Sequence, residues 1–271
     1  MAGGTDLGRT ACWAAAVRAR ESGREDRLLD DPWAAALAGE EGSAWLADHG
    51  EDTTIVMAIR ARFFDDFLRR HAPGVHQVIL LAAGLDTRSF RLSWPENTTV
   101  FELDQPEVLD RKERVLVGVK PVCSRHVVGV DLTGDWTGRL VDIGFDVSMP
   151  SLWLLEGFLF YLTPTDIERM IDRVTDLAAV GSRMGFDIIN GAMLTSSWTR
   201  AWVAMQEASG APWIGTLDDP AQFLADRGWQ AALTQAGEAD ADYGRWRLPI
   251  LPVLAPDLPH DWFVTARRTS R

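Results

Sequence analysis

The hydrophobic pattern divides the chain into two regimes. Along residues 53–70, Ile55, Ile59, Phe63, Phe67 and Leu68 recur at helical spacing and form one apolar stripe. An Ala/Arg-rich helix is expected over 11–20, and another after Asp31-Pro32, where proline suits a first turn. Pro73-Gly74 closes this helical region. From there short continuous apolar runs take over. Residues 78–83, 98–103, 125–130, 152–155 and 183–189 read as strands buried on both faces, with helical segments at 105–117 and 164–179 between them. This alternation predicts an α/β chain with a doubly wound, parallel sheet. Residues 229–234 and 262–267 are strand-like without a helix of comparable length between them, which predicts an antiparallel pair at the sheet edge. Residues 191–225, with Trp198, Trp202, Trp213 and Phe223, are too many for a plain loop and are expected to form a helical insertion over the sheet. The expected organisation is one domain over 1–271. It comprises a helical cap (1–72), a core (73–190), a lid (191–225) and edge strands (226–271), with a proline-rich loop at 248–259.

Composition narrows the function classes. The 271 residues are 46% hydrophobic and 24% charged, an ordinary globular balance. A net charge of −12 repels a phosphate backbone, so nucleic acid is not an expected partner. Neither is a membrane, since no apolar run approaches the roughly 18 residues a spanning helix needs. Cys12 and Cys123 lie far apart with no metal-type spacing, so two reduced thiols and no metal are expected. The N-terminal residues carry no basic stretch followed by an apolar run, which points to the cytoplasm. There are 12 tryptophans against two tyrosines.

In a doubly wound sheet the ligand lies beyond the carboxyl ends of the strands, so the residues there carry the chemistry. After the first run come Ala82, Ala83 and Gly84, small residues that let a backbone approach a ligand closely. The pattern is not Gly-x-Gly-x-x-Gly, which argues against a nicotinamide dinucleotide. After the second run stand Glu102, Asp104 and Gln105. A carboxylate here suits two ribose hydroxyls, and Asp104 or Gln105 equally suits the N-cap of the next helix. After the third run, Asp131 and Leu132 suit an adenine amino group, or simply begin a turn. After the fourth, Glu156 and Gly157 stand at the cleft floor, where a carboxylate can hold an ammonium group or act as a base. Together these positions describe an adenosyl cofactor with a charged tail.

These segments also carry a family resemblance. LLAAGLDTRSFRL at 80–92, VFELDQPEVL at 100–109, VDLTGDW at 130–136, LLEGFLFYLTP at 154–164 and WFVTARR at 262–268 resemble the leucine carboxyl methyltransferase family. More narrowly they are similar to its actinobacterial branch of S-adenosylmethionine-dependent O-methyltransferases, as are 15–39 and 58–68. The resemblance implies a class I (Rossmann-like) methyltransferase fold, with a seven-stranded, mostly parallel sheet under a helical cap, and S-adenosyl-L-methionine as cofactor. It assigns Arg60, with Arg18 beside it, to the methionine carboxylate, and the backbone of Ala82, Ala83 and Gly84 to the methionine part. Asp104, with Glu102 as rival, would take the ribose, Asp131 and Leu132 the adenine, and Glu156 the amino group. The family's loop commonly reads Gly-Ala-Gly. The extra methyl at Ala82 is accommodated where its φ is negative.

A carboxylate acceptor needs no general base, whereas a hydroxyl does. None of the five histidines follows a strand end, which favours a carboxyl acceptor. Tyr161 is the expected catalytic contact with the acceptor, or a packed tyrosine. Trp198, Trp202 and Trp213 of the insertion, with Trp13, Trp33 and Trp45 of the cap, either wall an acceptor pocket or pack a core. A pocket so walled suits a hydrophobic secondary metabolite, such as a polyketide or another natural-product acid. A non-methylating reaction such as cyclisation, with the cofactor bound, is the alternative.

Overall fold

The computed structural model describes residues 6–252, 255 and 257–269; positions 253, 254 and 256 of the expected 248–259 loop lie outside the described residues. Three helices open the chain: α1 (Asp6–Ser22), α2 (Ala34–Asp48) and α3 (Glu51–His71). Then follow β1 (Gln77–Leu81), α4 (Arg88–Arg91), β2 (Thr99–Asp104), α5 (Pro106–Val115), β3 (Ser124–Gly129), α6 (Thr137–Asp142) and β4 (Ser151–Leu155). A single 3-10 turn (Leu159–Tyr161) leads into α7 (Pro164–Leu177) and β5 (Arg183–Ile189). The chain continues through α8 (Gly191–Thr195), α9 (Arg200–Ala208), α10 (Pro220–Ala225), β6 (Trp229–Thr234) and β7 (Asp261–Arg268).

The sheet order is β3-β2-β1-β4-β5-β7-β6. β1 pairs in parallel with both β2 and β4, whereas β7 runs antiparallel between β5 and β6. All seven expected strands are present. Period-two alternation explains why the inner ones are apolar throughout. Val78 and Leu80 of β1 face Ile59, Phe64, Phe67 and Leu68 of α3, while Ile79 and Leu81 join the layer of Ile167, Ile171 and Val174 from α7. At the start of α7 the Thr163 hydroxyl accepts from the Asp166 amide and Pro164 occupies the first turn. A third cluster, Cys12, Ala15, Ala16, Leu37 and Ala38 with Leu85 and Phe90, fixes α1 and α2 to the turn after β1.

The insertion is less helical than expected. Between α9 and α10 the chain is extended and tied to the 3-10 turn and to the end of β5. The Ile214 and Gly215 amides donate to the Phe160 carbonyl at 2.8 and 3.0 Å, and that of Leu217 to Ile189 at 2.9 Å. Among the described residues no helix is long and apolar enough to cross a membrane. Cys12 is buried and Cys123 half-buried, and both are free thiols.

Candidate functional site

Strand order reverses between β1 and β4, so the connections leaving their carboxyl ends diverge and open a cleft there. The cleft holds a cavity of about 580 Å³, within the roughly 300–1,000 Å³ usual for small-molecule sites. It runs from the ends of β2 and β3, under α1, to the ends of β5 and β7, under α9. Arg18, Arg60, Ala82, Ala83, Gly84, Asp104, Gln105, Asp131, Leu132, Glu156, Gly157, Tyr161, Trp198, Trp202 and Trp213 all line it.

Glu102 does not. It is fully buried one position from the end of the usable strand face. There it accepts from Ser89 Oγ (2.6 Å), Lys112 Nζ (2.7 Å) and an Arg125 Nη (2.6 Å). Alternation sends successive side chains to opposite faces, so Glu102 and Asp104 share one face, and only strand-end Asp104 clears the core. Burial opposes the Glu102 charge, but Lys112 and Arg125 win and its carboxyl is held below the usual range. Of the two rival acids, only Asp104 lines the cavity. Of the two N-cap candidates it is Gln105, not Asp104, that occupies the cap position of α5, although no side chain caps the helix. Asp104 instead accepts from the Gly84 amide on Oδ2 and the Gln105 amide on Oδ1, each at 2.6 Å. Burial nevertheless pushes its carboxyl up. Each oxygen keeps one further lone pair.

The turn after β1 carries strain. Ala82 has φ +53°, not the negative value its methyl calls for. An L-residue in that region costs roughly 1–2 kcal/mol, which glycine avoids while losing some chain entropy. Ala82→Gly is therefore expected to stabilise the fold by about 0.5–1 kcal/mol, seen as a higher urea midpoint at unchanged slope. An unchanged or lower midpoint counts against a strained turn. Asp131 is exposed at the rim, where its Oδ1 accepts from both the amide and hydroxyl of Thr133 (2.9 and 2.7 Å), while Leu132 is buried beneath.

The floor is a charged lattice. Arg60 of α3 reaches Glu156 at 3.1 Å and Asp187 at 2.9 Å. Burial works against its charge, but the Asp187 and Glu156 carboxylates more than offset this and raise its pKa. Glu156 also holds an Arg88 Nη at 2.7 Å. Arg88, 3% exposed, is further braced by Asp65 and Asp86. Arg18 donates to Asp31 (2.9 Å) and to the Leu85 carbonyl (2.7 Å), so it orders the turn while lining the cavity. Gly157 has φ +70°, and a Cβ there would stand 3.1 Å from an Arg60 Nη. Its amide donates to Asp187 at 2.6 Å.

At the far end the walls are aromatic. The Phe160 ring lies 4.7 Å from Tyr161 and 5.5 Å from Trp213. Burial pushes the Tyr161 phenol up to about 12, so it stays protonated and can donate a hydrogen bond rather than act as a base. Trp198, 69% exposed, stands at the mouth. Trp13 and Trp45 stack at 5.0 Å and line the other wall. Trp33 does not reach the cavity and packs on Phe90.

Two acids escaped the sequence reading. Asp187 is buried inside β5, and Asp261 opens β7 on the cavity wall. The available signal was a lone acid within or beside an apolar run. Because β7 is antiparallel, its first residues lie at the same sheet edge as the ends of the parallel strands. His260 therefore also lies at the cleft end, although both its ring nitrogens are occupied, by Gln235 (2.7 Å) and the Ala255 carbonyl (3.0 Å).

The geometry has relatives. Residues 11–175 match the model of the leucine carboxyl methyltransferase family. A Saccharopolyspora erythraea protein named an S-adenosyl-L-methionine-dependent methyltransferase is 40% identical, over 88% of each chain. A Mycolicibacterium smegmatis protein of the same name is 35% identical over 89% of each. Among solved structures, a Thermobifida fusca methyltransferase shares the fold with a TM-score of 0.62, covering 94% of each chain at 20% identity. A Streptomyces avermitilis DUF574-family protein does so at 0.57, covering 94% of this chain and 96% of its own at 14% identity. With its class I sheet and a match over more than half its length, this chain belongs to the leucine carboxyl methyltransferase family and is a methyltransferase.

Proposed function

We propose that the enzyme transfers a methyl group from S-adenosyl-L-methionine to an oxygen of a flat, hydrophobic small molecule of secondary metabolism. The observation that carries this reading is a single cavity joining two chemically different ends. One end presents Asp104 with lone pairs to spare, the small-residue turn, Asp131 and Leu132. The other presents Tyr161, Trp202 and Trp213. When bound, the cofactor supplies an electrophilic methyl on a sulfonium centre.

The residues fit that group. Asp104 would accept from both ribose hydroxyls, and Leu132 would pack on the adenine, with Asp131 at its amino group. The Ala82–Gly84 turn passes close because Gly84, at φ +47°, carries no side chain. Glu156 keeps a lone pair on each oxygen for the ammonium, and Arg60 would meet the carboxylate. Tyr161 and the insertion tryptophans orient the acceptor and exclude water, which an in-line displacement requires. The two free thiols accord with a reducing cytoplasm.

Incubation with the cofactor and a panel of aromatic acids and phenols is expected to release S-adenosylhomocysteine together with a product heavier by one methyl group. Turnover without S-adenosylhomocysteine would favour a non-methylating reaction such as cyclisation. Arg60→Ala should weaken S-adenosylmethionine about 10-fold or more and leave adenosine nearly unchanged, as read by calorimetry. Equal losses for both would remove Arg60 from the carboxylate.

A further inference from the structure

Asp261 is not locked into the ion-pair lattice of the cavity floor. Most charged groups around the cavity are locked together: Arg60 with Glu156 and Asp187, Arg88 with Asp65, Asp86 and Glu156, Arg18 with Asp31. Asp261 makes no ion pair among the described residues, and its buried Oδ1 has no hydrogen-bond partner. A buried polar group without a partner costs roughly 1–3 kcal/mol, so its retention calls for an explanation. The residue is half-buried and lines the cavity.

Its place in the sheet gives that explanation. Asp261 pairs with Ile189 at the last position of β5, so it sits at the carboxyl edge of the sheet. It shares a face of β7 with Phe263, whose ring meets Phe63 and Phe64 of α3, the helix that carries Arg60. In the sheet β7 lies beyond β5, on the other side of β1 and β4 from β2 and β3, so Asp261 lines the cavity away from the strand ends proposed to hold the adenosine; Gln206, Trp246, Leu248 and Ile250 line the same cavity. Gln206 Oε1 and Trp246 Nε1 are likewise buried without partners.

Resting on the O-methylation reading above, we infer that Asp261 is the catalytic base of this enzyme, and that its acceptor is a neutral aromatic or enolic hydroxyl rather than a carboxylate. The Asp261 carboxylate takes the hydroxyl proton as the acceptor oxygen forms its new bond to the methyl carbon. The carbon–sulfur bond breaks with its electron pair on sulfur, and Asp261 later returns the proton to water. An acid that must accept a proton near neutral pH needs a raised pKa. Burial, with the Asp187 carboxylate adding to it and Arg60 opposing, pushes Asp261 up to about 7. The charged groups facing it are Asp187 from β5 and Arg60 from α3, with Glu156 behind Arg60. His260, next along the chain, is turned to Gln235. An ionised Asp261 repels a carboxylate acceptor, so the same group selects against acids. The missing base that favoured a carboxyl acceptor in the sequence is thus supplied by a strand that enters the cleft from the reverse direction.

The test uses the full chain loaded with S-adenosylhomocysteine at pH 8, with 2-naphthol and 2-naphthoate as calorimetric probes of one ring and two acceptor classes. Wild type should bind the naphthol at least 10-fold more tightly, and Asp261→Asn should erase or reverse that preference. Naphthoate binding as well as naphthol in wild type, an unchanged ratio in the variant, or binding of neither ring overturns the assignment. Stability gives a second readout. An acid whose pKa is raised on folding loses stability as pH rises between its unfolded and folded values, here from about 4 to about 7. Asp261→Asn, the isostere of the protonated form, should therefore gain on wild type between pH 4 and pH 8. A flat difference overturns the raised pKa of Asp261, and Asp261→Ser should follow Asn in both measurements. Failure of S-adenosylhomocysteine to bind at all would instead sink the methyltransferase reading of the site.

Discussion

Asp104→Ala is expected to abolish measurable cofactor binding. The carboxylate has about four lone-pair directions, and the Gly84 and Gln105 amides occupy two of them at 2.6 Å. The remaining two match the two hydroxyls of a ribose. Hydrogen bonds to a charged group contribute about 1.5–3 kcal/mol each, so losing both costs at least about 100-fold in affinity. Alanine also frees the Gly84 amide and loosens the turn beneath the methionine part. Asp104→Asn separates the two effects. It keeps one acceptor oxygen, but its NH2 must face the Gly84 or the Gln105 amide, donor against donor, and accepts from no hydroxyl, so it should bind more weakly than wild type while staying folded. Calorimetry with S-adenosylhomocysteine gives the result directly, and unchanged affinity in both variants would remove Asp104 from the site.

Glu102→Met should have the opposite signature, a large loss of stability with cofactor affinity retained wherever the protein is folded. The residue lies one alternation earlier on the same strand, yet its carboxylate serves Lys112, itself fully buried, together with Arg125 and Ser89. Removing one member of a buried ion pair strands the other, a cost of about 3–5 kcal/mol. The double variant Glu102→Met/Lys112→Met should recover most of that, because two apolar groups of similar volume replace two desolvated charges. Glu102 is held below the usual carboxylate range, so its contribution is present above the unfolded value of about 4.3 and is lost as pH falls through the lower folded value. The gap between wild type and Glu102→Met should accordingly narrow in acid. A gap that is small at pH 7, or a loss of cofactor binding by folded protein, would contradict this placement.

These two acids show where sequence reasoning stopped. Both read as candidates because each stands near the end of an apolar run, and a run's end is known only to a residue or two. Which carboxylate clears the core depends on where pairing with β3 stops, at Asp104 opposite Gly129, and on Lys112 arriving from α5. Ala82 shows the same limit. Its extra methyl was visible, but the sign of its φ follows from how the turn is braced by α1 and Asp104. The tryptophans divided for a related reason. Trp202 and Trp213 line the cavity, while Trp33 turns to Phe90, a contact no local spacing encodes.

By itself the sequence determined the strands and their α/β alternation, because period-two and 3.6-residue patterns are local. It also picked out residues that line the cleft beyond β1 to β4, because a forward strand brings the positions just after its last apolar residue to that edge. Strand order, and with it the antiparallel entry of β7 between β5 and β6, was decided only in three dimensions. A reversed strand presents its first residue at the ligand edge rather than its last. Asp261 was therefore invisible to a search that looked after each strand. The same reversal carries this half-buried acid into the cleft, where its surroundings rather than its residue type push its pKa up to about 7.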